Sequence, residues 1–173
     1  GTFECVEELL KINKKVLIKG NHDHGWFFKW MNTGIHPNGW RQGGLSTASS
    51  YLRHAGKGPQ ASIVDLQYKL PFTLKGEDIP PTHYNLFASQ LNYYIDKQNR
   101  LFVHGGFNRN IYLTENSENV FYWDRDLWLD ALEYEKSGKK SRFKMKDNFS
   151  EIFIGNTSTD NWGITTAMKA VKI

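Results

Sequence analysis

Three polar turns, each at the end of a mainly apolar run, hold the side chains of this sequence best suited to metal and phosphate chemistry. Gly20-Asn21-His22-Asp23 follows Val16-Leu17-Ile18, His104-Gly105-Gly106 follows Leu101-Phe102-Val103, and Gly155-Asn156-Thr157 follows Ile152-Phe153-Ile154. Gly20 lets the backbone bend sharply, the Asn21 amide offers a neutral oxygen ligand, and the His22 imidazole is a proton carrier tunable around neutral pH. His104 is a metal-ligand candidate on the same grounds, because two glycines leave room for an ion or a phosphate to approach the backbone. Either histidine alone would be weak; the pairing gives the signal its force. Ligand sites in open α/β sheets gather at the carboxyl ends of strands, so three such ends predict one convergent site.

The elements that position these turns are partly readable. Cys5, Val6, Leu9, Leu10 and Ile12 recur at helical spacing, with Glu4, Glu7 and Glu8 early and Lys11 late, which predicts an amphipathic helix over 2–12. Val16-Leu17-Ile18, stopped by Gly20, predicts a strand buried on both faces, and helix followed by buried strand implies an α/β fold. Further helices are expected over 25–31, 45–54, 82–89 and 124–135, the last with Leu127, Trp128, Ala131 and Leu132 on one face. Leu91 to Ile95 and Arg100 to His104 flank Asp96-Lys97-Gln98-Asn99 as a hairpin. Pro37-Asn38-Gly39 reads as a turn, 34–81 as a cap or insert, Lys136 to Lys146 as a solvated basic loop, and Ile152-Phe153-Ile154 as a third buried strand. His24, beside the motif, reads as an exposed loop residue, with a substrate rim as the alternative; His36, His54 and His83 have no ligand spacing and read as surface or cap residues, and the six tryptophans read as mostly core, with base stacking as the alternative.

Composition bounds the class. At 173 residues with 39% hydrophobic content the chain supports one core, taken as a single domain over 1–173. Its 22 Lys and Arg against 18 Asp and Glu make it less basic than dedicated nucleic-acid binders, so nucleic acid is not the expected partner. One cysteine, Cys5, excludes an internal disulfide framework and fits a reducing compartment. With no apolar run of bilayer length and no leader pattern, the chain reads as cytoplasmic, without a membrane partner.

Gly20-Asn21-His22-Asp23, Phe102-Val103-His104-Gly105-Gly106, Trp123-Asp124-Arg125 and Ile152 to Thr159 together resemble the calcineurin-like metallophosphoesterases. The resemblance is to the bacterial branch related to protein Ser/Thr phosphatases and symmetrical dinucleoside tetraphosphatases; the first two stretches are specific and the last two supportive. It implies a layered β-sandwich flanked by helices, incomplete here at both ends. It also implies a phosphoester hydrolase that uses two divalent ions, such as Mn, Fe or Zn, to activate a water. Carried over, Asn21 and His104 ligate the second metal, His22 is the general acid at the leaving-group oxygen, and Arg125 holds the phosphate. Asp23 orients or tunes a neighbour. The implied substrate is a phosphoprotein, a nucleotide or a small phosphomonoester.

Two departures qualify the resemblance. The family's Asp-x-His and Gly-Asp-x-x-Asp turns, which supply the first metal's ligands and the bridging carboxylate, do not occur between Gly1 and Ile173. At most one ion is therefore expected in this chain, with poor metal binding and little hydrolysis by it alone. Asn156 also stands where the family has a metal-ligating histidine in Gly-His-Thr; an amide oxygen binds the later transition metals more weakly than imidazole does. The alternative is a catalytically impaired or inactive module that binds a phosphorylated ligand, a nucleotide or a protein. Sheet edges left open by absent strands would invite self-association.

Overall fold

A computed structural model describes residues 1–33, 42–57, 74–138 and 143–163. The fold is mixed α/β and divides into two compact units, one of Gly1–Leu17 with His22–Gln90 and one of Ile18–Asn21 with Leu91–Ile173. Among the described residues no helix is long and apolar enough to cross a membrane.

The first unit is helical. Helix α1 (Thr2–Leu10) stops two residues short of the expected end, because Ile12 faces solvent and the polar run behind it has no apolar face to bury. The helix expected over 25–31 begins with a π-helical turn, Asp23–Phe28, and continues as α2 (Lys29–Thr33). Helix α3 (Gly44–His54) follows Gly43, whose left-handed φ of 101° makes it a suitable glycine position, and α4 (Pro81–Ala88) opens on a proline, where the missing N–H costs nothing. Val6, Phe27, Trp30, Tyr51, Leu52, Leu86 and Phe87 form its core, with Phe27 and Phe87 stacked at 4.3 Å. Of the expected cap over 34–81, residues 34–41, including the Pro37-Asn38-Gly39 turn, and residues 58–73 lie outside the described residues; Leu74 and Ile79 join the core.

The second unit is built on a three-stranded sheet of order β1-β2-β3, formed by β1 (Tyr93–Ile95), β2 (Arg100–Val103) and β3 (Glu151–Phe153). The expected hairpin is present: β1 and β2 are antiparallel, pairing Tyr94 with Phe102. Its turn is closed by Asp96, whose carboxylate accepts from the Gln98 and Arg100 amides at 2.9 and 3.0 Å and from the Arg100 guanidinium at 2.6 Å. Asn99 takes the left-handed φ of 58° that the turn needs. Strand β3 runs parallel to β2, with Phe102 opposite Phe153, so a crossover is required. Helices α5 (Glu118–Trp123) and α6 (Asp126–Lys136) lie within that crossover.

Period-two alternation sends Leu101 and Val103 into a core with Phe121, Leu127, Trp128, Ala131 and Leu132. Burying each large apolar side chain of this kind stabilises the unit by about 1.5–3 kcal/mol. The opposite face carries Tyr94, Phe102 and Phe153, the last two stacked at 4.7 Å.

Several expectations are corrected. Val16-Leu17-Ile18 is no buried strand: Val16 is 49% exposed, and only Ile18 makes a parallel bridge, to Leu91. A buried strand needs ladder partners along its length, and among the described residues this run has one. The expected third strand is shifted to Glu151–Phe153 and is half-exposed, with Phe153 45% accessible on the face of the sheet opposite the Leu101 and Val103 core. The basic loop is anchored rather than wholly solvated, since Phe143 is buried under the Arg109 guanidinium at 4.6 Å; residues 139–142 lie outside the described residues.

Candidate functional site

The second unit brings two of the three polar turns to its central strand and adds the third at the same end. His104 is the residue directly after β2, and its ring lies flat against Gly20: a Cβ there would sit 3.0–3.2 Å from Cε1, Nδ1 and Nε2. A side chain at 20 would press on the imidazole, a constraint beyond any need of the turn. Asn21, buried beside it, accepts at Oδ1 from His104 Nε2, 3.0 Å away. The Gly155 amide donates to the His104 carbonyl at 2.8 Å, so the turn after β3 begins where β2 ends. Asn156 follows with a left-handed φ of 64°, a conformation asparagine tolerates better than most residues. Among the described residues its Nδ2, and the neighbouring Thr157 Oγ1, are buried without a hydrogen-bond partner.

Gly105 and Gly106 have a different explanation from the one their type suggested. A Cβ on Gly105 would meet the Tyr122 and Asp124 backbone at 3.0 Å, and one on Gly106 would lie 2.3 Å from Asp124 Oδ2. The space they leave is filled by the Tyr122–Asp124 segment of the protein itself. Asp124 Oδ2 accepts from the Leu127 amide at 3.1 Å, capping the first turn of α6, and desolvation holds its carboxyl above the usual aspartate range. Arg125, next in the chain, is exposed at the start of α6.

Comparison with protein-family models, with curated proteins and with solved structures finds no match.

The remaining expected residues fall elsewhere. His22 is exposed and opens the second stretch of the first unit, directly bonded to Asn21, and Asp23 begins the π-helical turn. His24 lies in that turn, half-buried, rather than in an exposed loop. His83, read as a surface or cap residue, is fully buried: Nδ1 is 2.9 Å from the Tyr51 hydroxyl and Nε2 is 2.7 Å from Glu7 Oε1. Its two partners satisfy both ring nitrogens, which is why it can sit inside. His54 is exposed and paired to Glu4 at 2.9 Å; His36 and Trp40 lie outside the described residues. Trp30 and Trp128 are core as expected, whereas Trp123 is 54% exposed at the end of α5.

One polar group escaped sequence reasoning. Lys19 is buried, with its ammonium 3.5 Å from Glu118, which also hydrogen-bonds the Tyr122 hydroxyl; that hydroxyl lies 2.6 Å from Asn92. Desolvation and the Glu118 charge raise the Tyr122 pKa, so the phenol keeps its proton. A lysine inside the apolar approach to Gly20-Asn21 was the available signal, since a buried ammonium demands a partner.

The donor set decides what could be held here. Among the described residues, His, Cys, Asp and Glu do not gather in groups of three able to hold an ion, so a cation would rest on amide oxygen beside imidazole. Asn21 Oδ1 and His104 Nε2 meet that requirement: 3.0 Å is roughly the spacing of adjacent donors in an octahedral shell of ~2.1 Å radius. At Asn156 the unpartnered atom is the amide nitrogen, which cannot ligate a cation.

Proposed function

We propose that this chain carries part of the site of a metal-dependent phosphoester hydrolase of metallophosphoesterase type. The observation that carries the reading is the convergence of Asn21 Oδ1 and His104 Nε2 at 3.0 Å, with the imidazole seated on Gly20. In this reading Asn21 and His104 hold one divalent ion, such as manganese. A bound ion of this kind neutralises phosphate oxygens and makes a coordinated water nucleophilic at neutral pH. The protein's own contributions are positional. Gly20 keeps the ring in place, the β2 ladder fixes the His104 backbone, and the buried Asn21 amide is withdrawn from competing water.

Arg125 is the residue proposed to hold the phosphate, with a fixed fork of donors suited to paired oxygens. His22 is proposed as the proton donor to the leaving-group oxygen; it is the next residue after Asn21 and open to solvent. Asp23 is proposed to orient or tune a neighbour. The substrate would be a phosphoprotein, a nucleotide or a phosphomonoester.

The same reading extends to the fold, as a layered sandwich. Its support is the apolar aromatic face of Tyr94, Phe102 and Phe153, on the side of the sheet opposite the helices. A sheet with a parallel pair ordinarily has both faces covered.

Manganese binding followed by the paramagnetic resonance of the free ion tests the proposal. The wild-type chain should bind weakly but measurably, and His104→Ala and Asn21→Ala should each weaken binding roughly tenfold or more. Wild-type chain that binds no manganese at millimolar concentration, or variants that bind it as wild type does, would overturn it.

A further inference from the structure

We infer that the Asn156 amide N–H group and the Thr157 hydroxyl are paired hydrogen-bond donors to a phosphoryl oxygen, a role different from the metal ligation that the resemblance implies for Asn156. The inference rests on the phosphoesterase reading of the same site and adds two donors to it.

Buried polar atoms in folded proteins are almost always hydrogen-bonded, so two unpartnered ones on successive residues call for a partner from outside. Their chemistry says which kind. Asn156 Nδ2 is a donor only, and the Thr157 hydroxyl can rotate to donate; a cation needs lone pairs, whereas an oxyanion needs N–H and O–H groups. Both atoms are shielded from water, where such donors act more strongly on developing negative charge.

The backbone stiffens this turn. Gly155 N donates to His104 O at 2.8 Å and Thr157 N to Gly155 O at 2.7 Å, locking the turn to the strand that ends in His104. The left-handed φ of Asn156 is held by that closure. An asparagine here therefore satisfies the turn and supplies a donor. The two donors are neutral, so they add oxyanion contacts without the charge repulsion that a further cation would exert on a bound metal.

The probe is inorganic phosphate, titrated calorimetrically into the chain with and without manganese. Asn156→Asp keeps the shape, replaces the N–H donors with a carboxylate oxygen and should weaken phosphate binding by more than tenfold, while leaving manganese affinity unchanged or higher. Asn156→Gly retains the left-handed turn without the amide, and Thr157→Val removes only the hydroxyl. Each should weaken phosphate by several-fold to about tenfold, with wild-type circular dichroism.

Asn156→Asp binding phosphate as tightly as wild type would overturn the inference, as would unaltered binding by both Asn156→Gly and Thr157→Val. Manganese binding lost in His104→Ala, together with phosphate binding indifferent to positions 156 and 157, would sink this inference and leave the metal reading standing. Phosphate binding that depends on both positions but not on manganese or His104 would do the reverse. No phosphate binding by wild type under either condition overturns the inference outright.

Discussion

His83 in the first unit is fully buried and His104 in the second is half-buried, and their neighbours behave differently. Around His83 the hydrogen bonding closes on itself: Tyr51 and Glu7 take the two ring nitrogens, and Phe3 packs on the ring at 4.6 Å. Burial, then the Glu7 charge, raise the Tyr51 pKa, so the phenol stays protonated and serves as a bonding partner, not a nucleophile. Around His104 one bond reaches Asn21, while the turn joined to its carbonyl contains two buried polar atoms with no partner among the described residues. A satisfied buried histidine holds helices together; one beside unsatisfied groups is where an outside ligand would complete the bonding.

The sharpest way to break this comparison is to remove each ring. His83→Ala should destabilise the first unit by about 3 kcal/mol, through a cavity and the unpaired Tyr51 and Glu7 groups. His104→Ala should cost less, about 1–2 kcal/mol through the unpaired Asn21 amide, while weakening manganese binding. Urea unfolding alongside metal titration checks both, and equal stability losses would erase the distinction.

A smaller effect separates the glycines of the second unit. Gly106→Ala drives a methyl to 2.3 Å from the Asp124 carboxylate and should cost about 2 kcal/mol. Gly20→Ala meets the His104 ring at 3.0–3.2 Å; it should cost about 1 kcal/mol and displace the ring, lowering manganese affinity about tenfold. If both alanines affect only stability, Gly20 has no special relation to the site.

The smallest expected effect is on pH dependence. The His54 hydrogen bond holds the Glu4 carboxyl well below the usual range. A depressed carboxyl contributes stability above its unfolded pKa of about 4.3 and loses it as pH falls. Asp124 is raised by desolvation, so its contribution to the second unit is full below its unfolded pKa and lost as pH rises through the folded value. Glu4→Gln should flatten the acid limb of the first unit's unfolding midpoint, and Asp124→Asn should remove a slope of opposite sign in the second. Hydrogen exchange resolved by unit measures both; slopes of the same sign would contradict the assignment.

How much of this was legible depended on range. The β1–β2 hairpin could be read because Asp96 and Asn99 close it within a few residues, and α6 because its four buried apolar residues share one face. Helix α5 was missed: six residues are too few to show a period. The strand expected at 16–18 failed because an apolar run does not reveal whether a partner lies beside it. His83 carried no spacing signal, since its partners lie 76 and 32 residues away in the chain.

By itself the sequence determined which residues could bend, ligate or carry a proton: the turns at Gly20-Asn21, His104-Gly105-Gly106 and Gly155-Asn156-Thr157 are local facts of residue type and order. Tertiary structure decided which of them meet and which atoms are left wanting. It set Gly20 beneath the His104 ring, filled the space at Gly105 and Gly106 with the protein's own chain, and buried the Asn156 and Thr157 donors without partners among the described residues. The division is physical. Backbone bending is settled within a few bonds, whereas burial and hydrogen-bond satisfaction depend on residues brought close by folding across as many as 99 positions.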